Sequence, residues 1–208
     1  MRIGLACDGP SPPQEVVDLL AAAGLPAAAL RAAAPPAVLV VGETEWLLAG
    51  DADVLRLCAA AALDAAVVGK APLLEGHYEV SELLDLGVCR DVLVYAAPAE
   101  ASVARARLRV ATRYPRVAAR HFDADGRQVD LLTMRSPSLA AALGLVDGVV
   151  DLASRIVPTS AVGAEPLVIR EEIAACSARL VAGRASRALL GARLGALVEP
   201  LRTLVEDA

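Results

Sequence analysis

Aromatic side chains are nearly missing from this chain: one Trp, three Tyr and one Phe, 2% of 208 residues. A core at protein density must therefore be assembled from Ala, Val and Leu, and the 56% apolar content is too high for a disordered chain. Histidine is scarce, with only His77 and His121. The four cysteines, Cys7, Cys58, Cys89 and Cys176, lie far apart with no CxxC. That spacing offers no zinc framework and reads as free thiols in a reducing compartment, so no protein-held metal is expected. No basic block exists, and 20 basic against 25 acidic residues leave a net charge of −5. The chain thus lacks the field that gathers nucleic acid or an anionic membrane surface. Long apolar runs are absent too, and the opening MRIGLACD is interrupted by Asp8, so it reads as a strand and not as a signal peptide. A cytoplasmic, soluble protein is expected, without nucleic-acid or membrane partners. Nor is there a GxSxG, a Walker GxxxxGK[ST], an HExxH or a GxGxxG.

What is present is a chain of short apolar strands alternating with amphipathic helices, the pattern of a parallel or mixed sheet covered on both faces. Arg2–Ala6 reads as a strand, and Gln14–Ala23 as a helix stopped by Gly24. Ala27–Leu30 reads as a short strand, and Ala37–Val41 as one buried on both faces. Asp51–Ala62 reads as a helix with Asp51 at its N-cap, followed by a strand at Ala65–Val68. Leu83–Leu86 and Asp91–Ala97 have extended character. A second round follows: strand Leu108–Thr112, helix Pro115–Phe122 with Pro115 in its first turn, strand Gln128–Leu132 and helix Ser138–Leu143. Leu167–Val181 is mostly extended, and Ala185–Leu204 is an amphipathic helix that Pro200 kinks or ends early. The length suits one large domain or two small ones, and two similar rounds suggest two lobes. His77 and His121 read as ordinary surface residues. Arg113, Arg116 and Arg120 share one helical face, which is either solvated or an anion or subunit contact.

The stretch Leu145–Gly163, LVDGVVDLASRIVPTSAVG, carries the chemistry. A strand at Gly148–Leu152, with Asp147 and Asp151, runs into a loop of small and polar residues. Hydroxyls and backbone N–H groups at the carboxyl end of a strand are how α/β proteins commonly hold a ligand.

Four ordered blocks extend that reading. Leu63–Lys70 (LDAAVVGK), Leu73–Glu75 (LLE) and Glu82–Gly87 (ELLDLG) form the first, and Leu108–Phe122 (LRVATRYPRVAARHF) the second. Leu143–Leu152 (LGLVDGVVDL) is the third; Glu171–Ile173, Ser177–Val181 and Arg184–Ser186 make up the fourth. In order, spacing and length they resemble the short-form ATP phosphoribosyltransferase family over nearly the whole chain. The resemblance implies an α/β, two-lobed, periplasmic-binding-protein-like (type II) architecture with mixed sheets and a central cleft. Lobe I would comprise residues 1–88 plus 176–208, and lobe II residues 89–175 with the phosphoribosyl-binding loop. It also implies the first step of histidine biosynthesis: N1 of the adenine of ATP is joined to the anomeric carbon of phosphoribosyl pyrophosphate, and pyrophosphate leaves, with Mg²⁺ bound alongside the substrate. The implied partners are a second copy, as a homodimer, and a synthetase-like regulatory subunit in a hetero-oligomer.

Carried over by position, Asp147 and Asp151 are the catalytic candidates. Ser154, Arg155, Thr159, Ser160 and Gly163 are the phosphoribosyl pyrophosphate candidates, and Asp8, Gly9, Gly69 and Lys70 the ATP candidates. The ligand loops nevertheless depart from the family pattern. A TGxTL loop is expected after the VDL strand, but Ala153–Gly163 is about three residues longer and has no Thr-Gly pair. The family's PKGRL turn is Ala6–Ser11 here, with the acid Asp8 where a base is expected. Ala71 and Ser138 stand where the family has Asp and Glu. Two alternatives follow from these departures: a catalytically silent or regulatory homologue, or phosphoribosyl transfer to a different heterocycle.

Overall fold

The computed structural model describes residues 1–25, 27–99, 107–156 and 165–207. They divide into two compact units: Met1–Leu73, His77–Arg90 and Ser177 onward form the first, and Leu74–Gly76 with Asp91–Cys176 form the second.

The first unit is a six-stranded sheet in the order β2-β3-β1-β4-β11-β5. Its strands are β1 (Arg2–Ala6), β2 (Ala37–Val41), β3 (Thr44–Ala49), β4 (Ala65–Gly69), β5 (Val80–Asp85) and β11 (Ala178–Gly183). β1 runs parallel to both β3 and β4, while β2 and β11 pair antiparallel. One face packs Ile3, Leu5, Trp46, Leu48 and Leu180 against α1 (Gln14–Ala22), α2 (Ala27–Ala32) and α8 (Gly191–Glu206). The other packs Ala66, Val68 and Val181 against Val54, Leu55 and Cys58 of α3 (Asp51–Ala59).

Several local expectations change here. Ala27–Leu30 is helical, within α2, because Leu30 is fully buried against the first-unit core while its neighbours Ala28 and Arg31 stay outside. β3 was not foreseen, since Thr44–Ala49 carries Glu45 and Trp46 instead of a clean alternation. β2 is an edge strand, so Val38 and Val40 are 65% and 72% exposed in place of the two-sided burial expected. Gly50, not Asp51, is the N-cap of α3. Lys70–Glu75 forms a short helix, α4. The C-terminal helix is two, α7 (Arg184–Leu189) and α8, and α8 runs through Pro200 without ending there.

The second unit is a five-stranded sheet in the order β10-β6-β9-β7-β8. It comprises β6 (Asp91–Pro98), β7 (Leu108–Thr112), β8 (Val129–Thr133), β9 (Gly148–Leu152) and β10 (Leu167–Cys176). β7 is parallel to β8 and β9, and β6 lies antiparallel to β9 and β10. α5 (Pro115–Ala124) and α6 (Pro137–Ala142) complete the unit, each entered through a proline in its first turn. Phe122 is fully buried, with the Tyr95 ring edge-on to it at 5.1 Å. Trp46 and Phe122 are the two bulkiest fully buried side chains, one in each unit, so the few aromatics sit where an aliphatic core would otherwise need several residues.

Candidate functional site

Strand order defines where a ligand can enter. In the second unit the chain leaves β7 toward β8 and leaves β9 toward the opposite side of the sheet, so a crevice opens between the carboxyl ends of β7 and β9. In the first unit β1 and β4 are parallel neighbours whose exits diverge likewise.

At the second-unit switch point stands Asp151, 2% exposed. Its carboxylate accepts the N–H of Leu152 at 2.8 Å. Burial pushes its pKa up, opposed by that hydrogen bond and by the guanidinium groups of Arg155 and Arg113, while Asp91 adds to the rise. β7 contributes Thr112, whose Oγ1 accepts the N–H of Tyr114 at 2.9 Å. Just beyond β9, Ala153–Arg155 forms one 3-10 turn. From it Arg155 donates Nη1 to the Tyr114 hydroxyl at 3.2 Å, and the Arg155 carbonyl accepts Ser138 Oγ at 3.4 Å. Ser138, placed where the family carries Glu, therefore steadies this turn. Thr159, Ser160 and Gly163 lie outside the described residues.

Asp147 is not beside Asp151. It precedes β9 at the other end of the strand, about 13 Å away at the usual rise per residue. Its carboxylate accepts the Arg109 N–H at 2.9 Å, and its own N–H donates to the Arg109 carbonyl at 2.7 Å, extending the β7–β9 ladder. The two acids carried over as catalytic candidates thus sit at opposite ends of one strand.

The ATP candidates do come together. Asp8 and Gly9 follow β1, and Gly69 and Lys70 end its neighbour β4 and open α4. Their polar groups are largely engaged, however. Lys70 Nζ meets Glu82 at 2.6 Å, and its backbone N–H donates to the Ser177 carbonyl at 3.0 Å. The crevice is also acidic: burial, Asp51 and Asp8, in that order, push the Cys7 thiol up to about 12.

Other candidates have been absorbed into the scaffold. The carboxylate of Glu75 accepts the Arg116 and Val117 N–H groups at 3.0–3.1 Å, filling the N-terminus of α5. Arg120 donates to the Leu74 carbonyl at 2.7 Å. The three arginines are therefore not one solvated helix face, and Arg113, which precedes α5, is the one acting on Asp151. His121 is not an ordinary surface residue: its Nε2 lies 2.6 Å from Glu171, with the ring 20% exposed. His121, Asp125 and Glu171 form the one group among the described residues that could surround a metal. Arg127 already bridges it, at 2.6–2.7 Å from both carboxylates, with its guanidinium 4.6 Å above the Phe122 ring. A cation is built into that cluster, so a resident metal does not fit it. Sequence reading missed Glu75, Tyr114 and Asp91. The signals available were an acid before a loop, a Tyr-Pro helix entry, and an acid opening an apolar strand.

The HisG family model, described as ATP phosphoribosyltransferase, matches residues 50–203. The chain belongs to the ATP phosphoribosyltransferase family. An ATP phosphoribosyltransferase of Symbiobacterium thermophilum is 39% identical over 169 residues, 78% of this chain and 75% of that protein. Among solved structures, the ATP phosphoribosyl transferase (HisG:HisZ) complex from Thermotoga maritima superposes with a TM-score of 0.79 at 18% identity, covering 100% of both chains. The periplasmic aliphatic sulphonate binding protein SsuA of Escherichia coli superposes at 0.59 and 11% identity, over 99% of this chain and 72% of its own. The chain thus has the α/β, periplasmic-binding-protein-like fold. Among its described residues no helix is long and apolar enough to cross a membrane.

Proposed function

We propose that the chain is a working ATP phosphoribosyltransferase, catalysing the first step of histidine biosynthesis in the cytoplasm. The observation that carries the reading is the buried Asp151, flanked by Arg113 and Arg155 at a strand switch point of a chain from this family. In the reaction the C1′–O bond to pyrophosphate breaks and its electron pair leaves with pyrophosphate. The lone pair of adenine N1 forms the new C–N bond. The anomeric carbon becomes cation-like in between, and the Asp151 carboxylate supplies fixed negative potential in a dry setting. Arg155 and Arg113 answer the phosphates, since guanidinium forks pair with phosphate oxygens. Thr159, Ser160 and Gly163 complete the 5′-phosphate cradle. The Asp8–Gly9 loop with Gly69 and Lys70 takes ATP, and Lys70 exchanges Glu82 for a phosphate oxygen on binding. Mg²⁺ arrives on the pyrophosphate as part of the substrate. Asp147 holds β7 to β9 and takes no part in the chemistry.

A second copy and a synthetase-like regulatory subunit are the partners. The deciding experiment supplies the full chain with ATP, Mg²⁺ and phosphoribosyl pyrophosphate, with and without that subunit, and follows pyrophosphate release. Turnover is expected with the subunit present; no turnover under either condition overturns the reading.

One observation favours the silent or regulatory homologue. Lys70 and Ser154 already direct their polar atoms to protein carboxylates, and Asp8 puts an acid where anions are to bind. Calorimetry with phosphoribosyl pyrophosphate alone separates the two: Mg²⁺-dependent binding counts for the enzyme, and its absence for the silent homologue.

A further inference from the structure

Asp91 opens β6, 63 residues before Ser154 in the chain. Because β6 runs antiparallel to β9, with Leu93 opposite Leu152, the start of β6 lies at the carboxyl end of β9. The Asp91 carboxylate there gathers three donors: Ser154 Oγ at 2.5 Å, Ser154 N at 3.3 Å and Val92 N at 2.8 Å. Ser154 is the middle residue of the 3-10 turn, and Leu152, which precedes the turn, offers it no side-chain cap. Asp91 thus grips the centre of that turn, while Tyr114 and Ser138 hold its last residue, Arg155.

The chemistry of the pair sets what each can do. A serine hydroxyl has one proton to donate, and here it points at a carboxylate. Ser154 then presents only lone pairs outward and cannot serve a phosphate oxygen as a donor. A bare carboxylate beside a phosphate would repel it, but Asp91 has its oxygens turned onto protein donors. The hydroxyl-to-carboxylate bond is charge-assisted and roughly twice as strong as a neutral one.

We infer that Asp91 is a positioning residue for the phosphoribosyl site, acting through Ser154 to hold the turn that aims Arg155 at the sugar phosphate. This rests on the function proposed above. It also reassigns Ser154 from phosphate donor to latch.

The test uses the full chain, with its regulatory subunit wherever wild type needs it, and a double-mutant cycle of Asp91→Ala, Ser154→Ala and the pair. Each single change is expected to raise KM for phosphoribosyl pyrophosphate on the order of ten-fold, the effect of losing one charge-assisted hydrogen bond. KM for ATP and kcat should stay within about two-fold of wild type, as for lost ground-state binding. The double variant should be no worse than Asp91→Ala alone, because that change already removes the hydroxyl contact which Ser154→Ala removes. Ser154→Thr, which keeps the hydroxyl, should restore wild-type KM. Additive losses, or an unchanged KM in a wild-type-active background, overturn the inference. If Asp91→Ala does not fold, the Ser154→Ala and Ser154→Thr pair decides by the same KM criterion. A wild type that neither binds nor turns over phosphoribosyl pyrophosphate overturns the functional reading itself, and this assignment with it.

Discussion

Asp151 is held in a state that folding disfavours. Burial is the largest influence on its carboxyl and raises the pKa, and neither the Leu152 N–H nor the two arginines bring it back. A carboxyl whose pKa is raised on folding adds stability below its unfolded pKa, and that contribution disappears as pH rises through the folded value. Above that folded value the ionised Asp151 is therefore a cost of the fold. Asp151→Asn is expected to melt higher than wild type at pH 7, with the gap closing as the pH falls into and below the ordinary carboxylate range. The same variant should lose activity about 100-fold or more, the size of a lost electrostatic contact to the transition state. A lower melting temperature at pH 7 would contradict this account. Glu171 has the opposite sign: its hydrogen bonds from Arg127, the largest influence, hold its carboxyl below the usual range, so it stabilises the fold above that range. One acid is strained in a site, the other settled in a scaffold. Residue type alone does not separate them; their surroundings do.

At the scale of elements, the β6–β9 pair carries both Asp91 and Asp151. Its packing has no slack at Gly148. A Cβ there would lie 2.5 Å from Tyr95 Cε2 and 3.0 Å from the Ala96 carbonyl oxygen. Gly148→Ala is expected to cost about 1–3 kcal/mol, the usual penalty of forced overpacking. Urea denaturation checks it, and an unmoved midpoint would show that the pair can yield. Elements with a clean local signal were legible in advance: β1, β4, β7 and β9 as apolar runs, α1 up to Gly24 at a φ of 76°, and α5 from its proline. The misreadings have a common origin. Ala37–Val41 is as apolar as a central strand, yet lies at the edge of its sheet, and an apolar run does not encode which neighbours it will have. Pro200 was expected to kink the helix or end it early; the helix does not end there, and Leu197, Val198 and Leu201 are buried on either side of it. Packing of that face overrides the local cost of a missing hydrogen bond.

Across the molecule, each unit has its own sheet and its own core, and none of the four cysteines is in a disulfide. Burial is the main cause that raises Cys58 to about 11, as it is for Cys7 at about 12. Because the thiolate is the reactive form, alkylation of these two in the native protein at pH 8 should be on the order of 100-fold slower than in the unfolded chain. Mass spectrometry of iodoacetamide-treated protein reads this directly, and rapid native labelling of either would contradict their burial. The sequence by itself determined the family, since four ordered blocks survive in it, and it located Asp151 and the loop after it, because an apolar strand followed by polar residues is a local pattern. Only the tertiary structure decided which groups share that site. Strand order put Asp151 at a switch point and Asp147 at the far end of the same strand. Antiparallel register carried Asp91 across 63 residues to Ser154. Contacts of that range come from how strands pair, and neither residue spacing nor composition records the pairing.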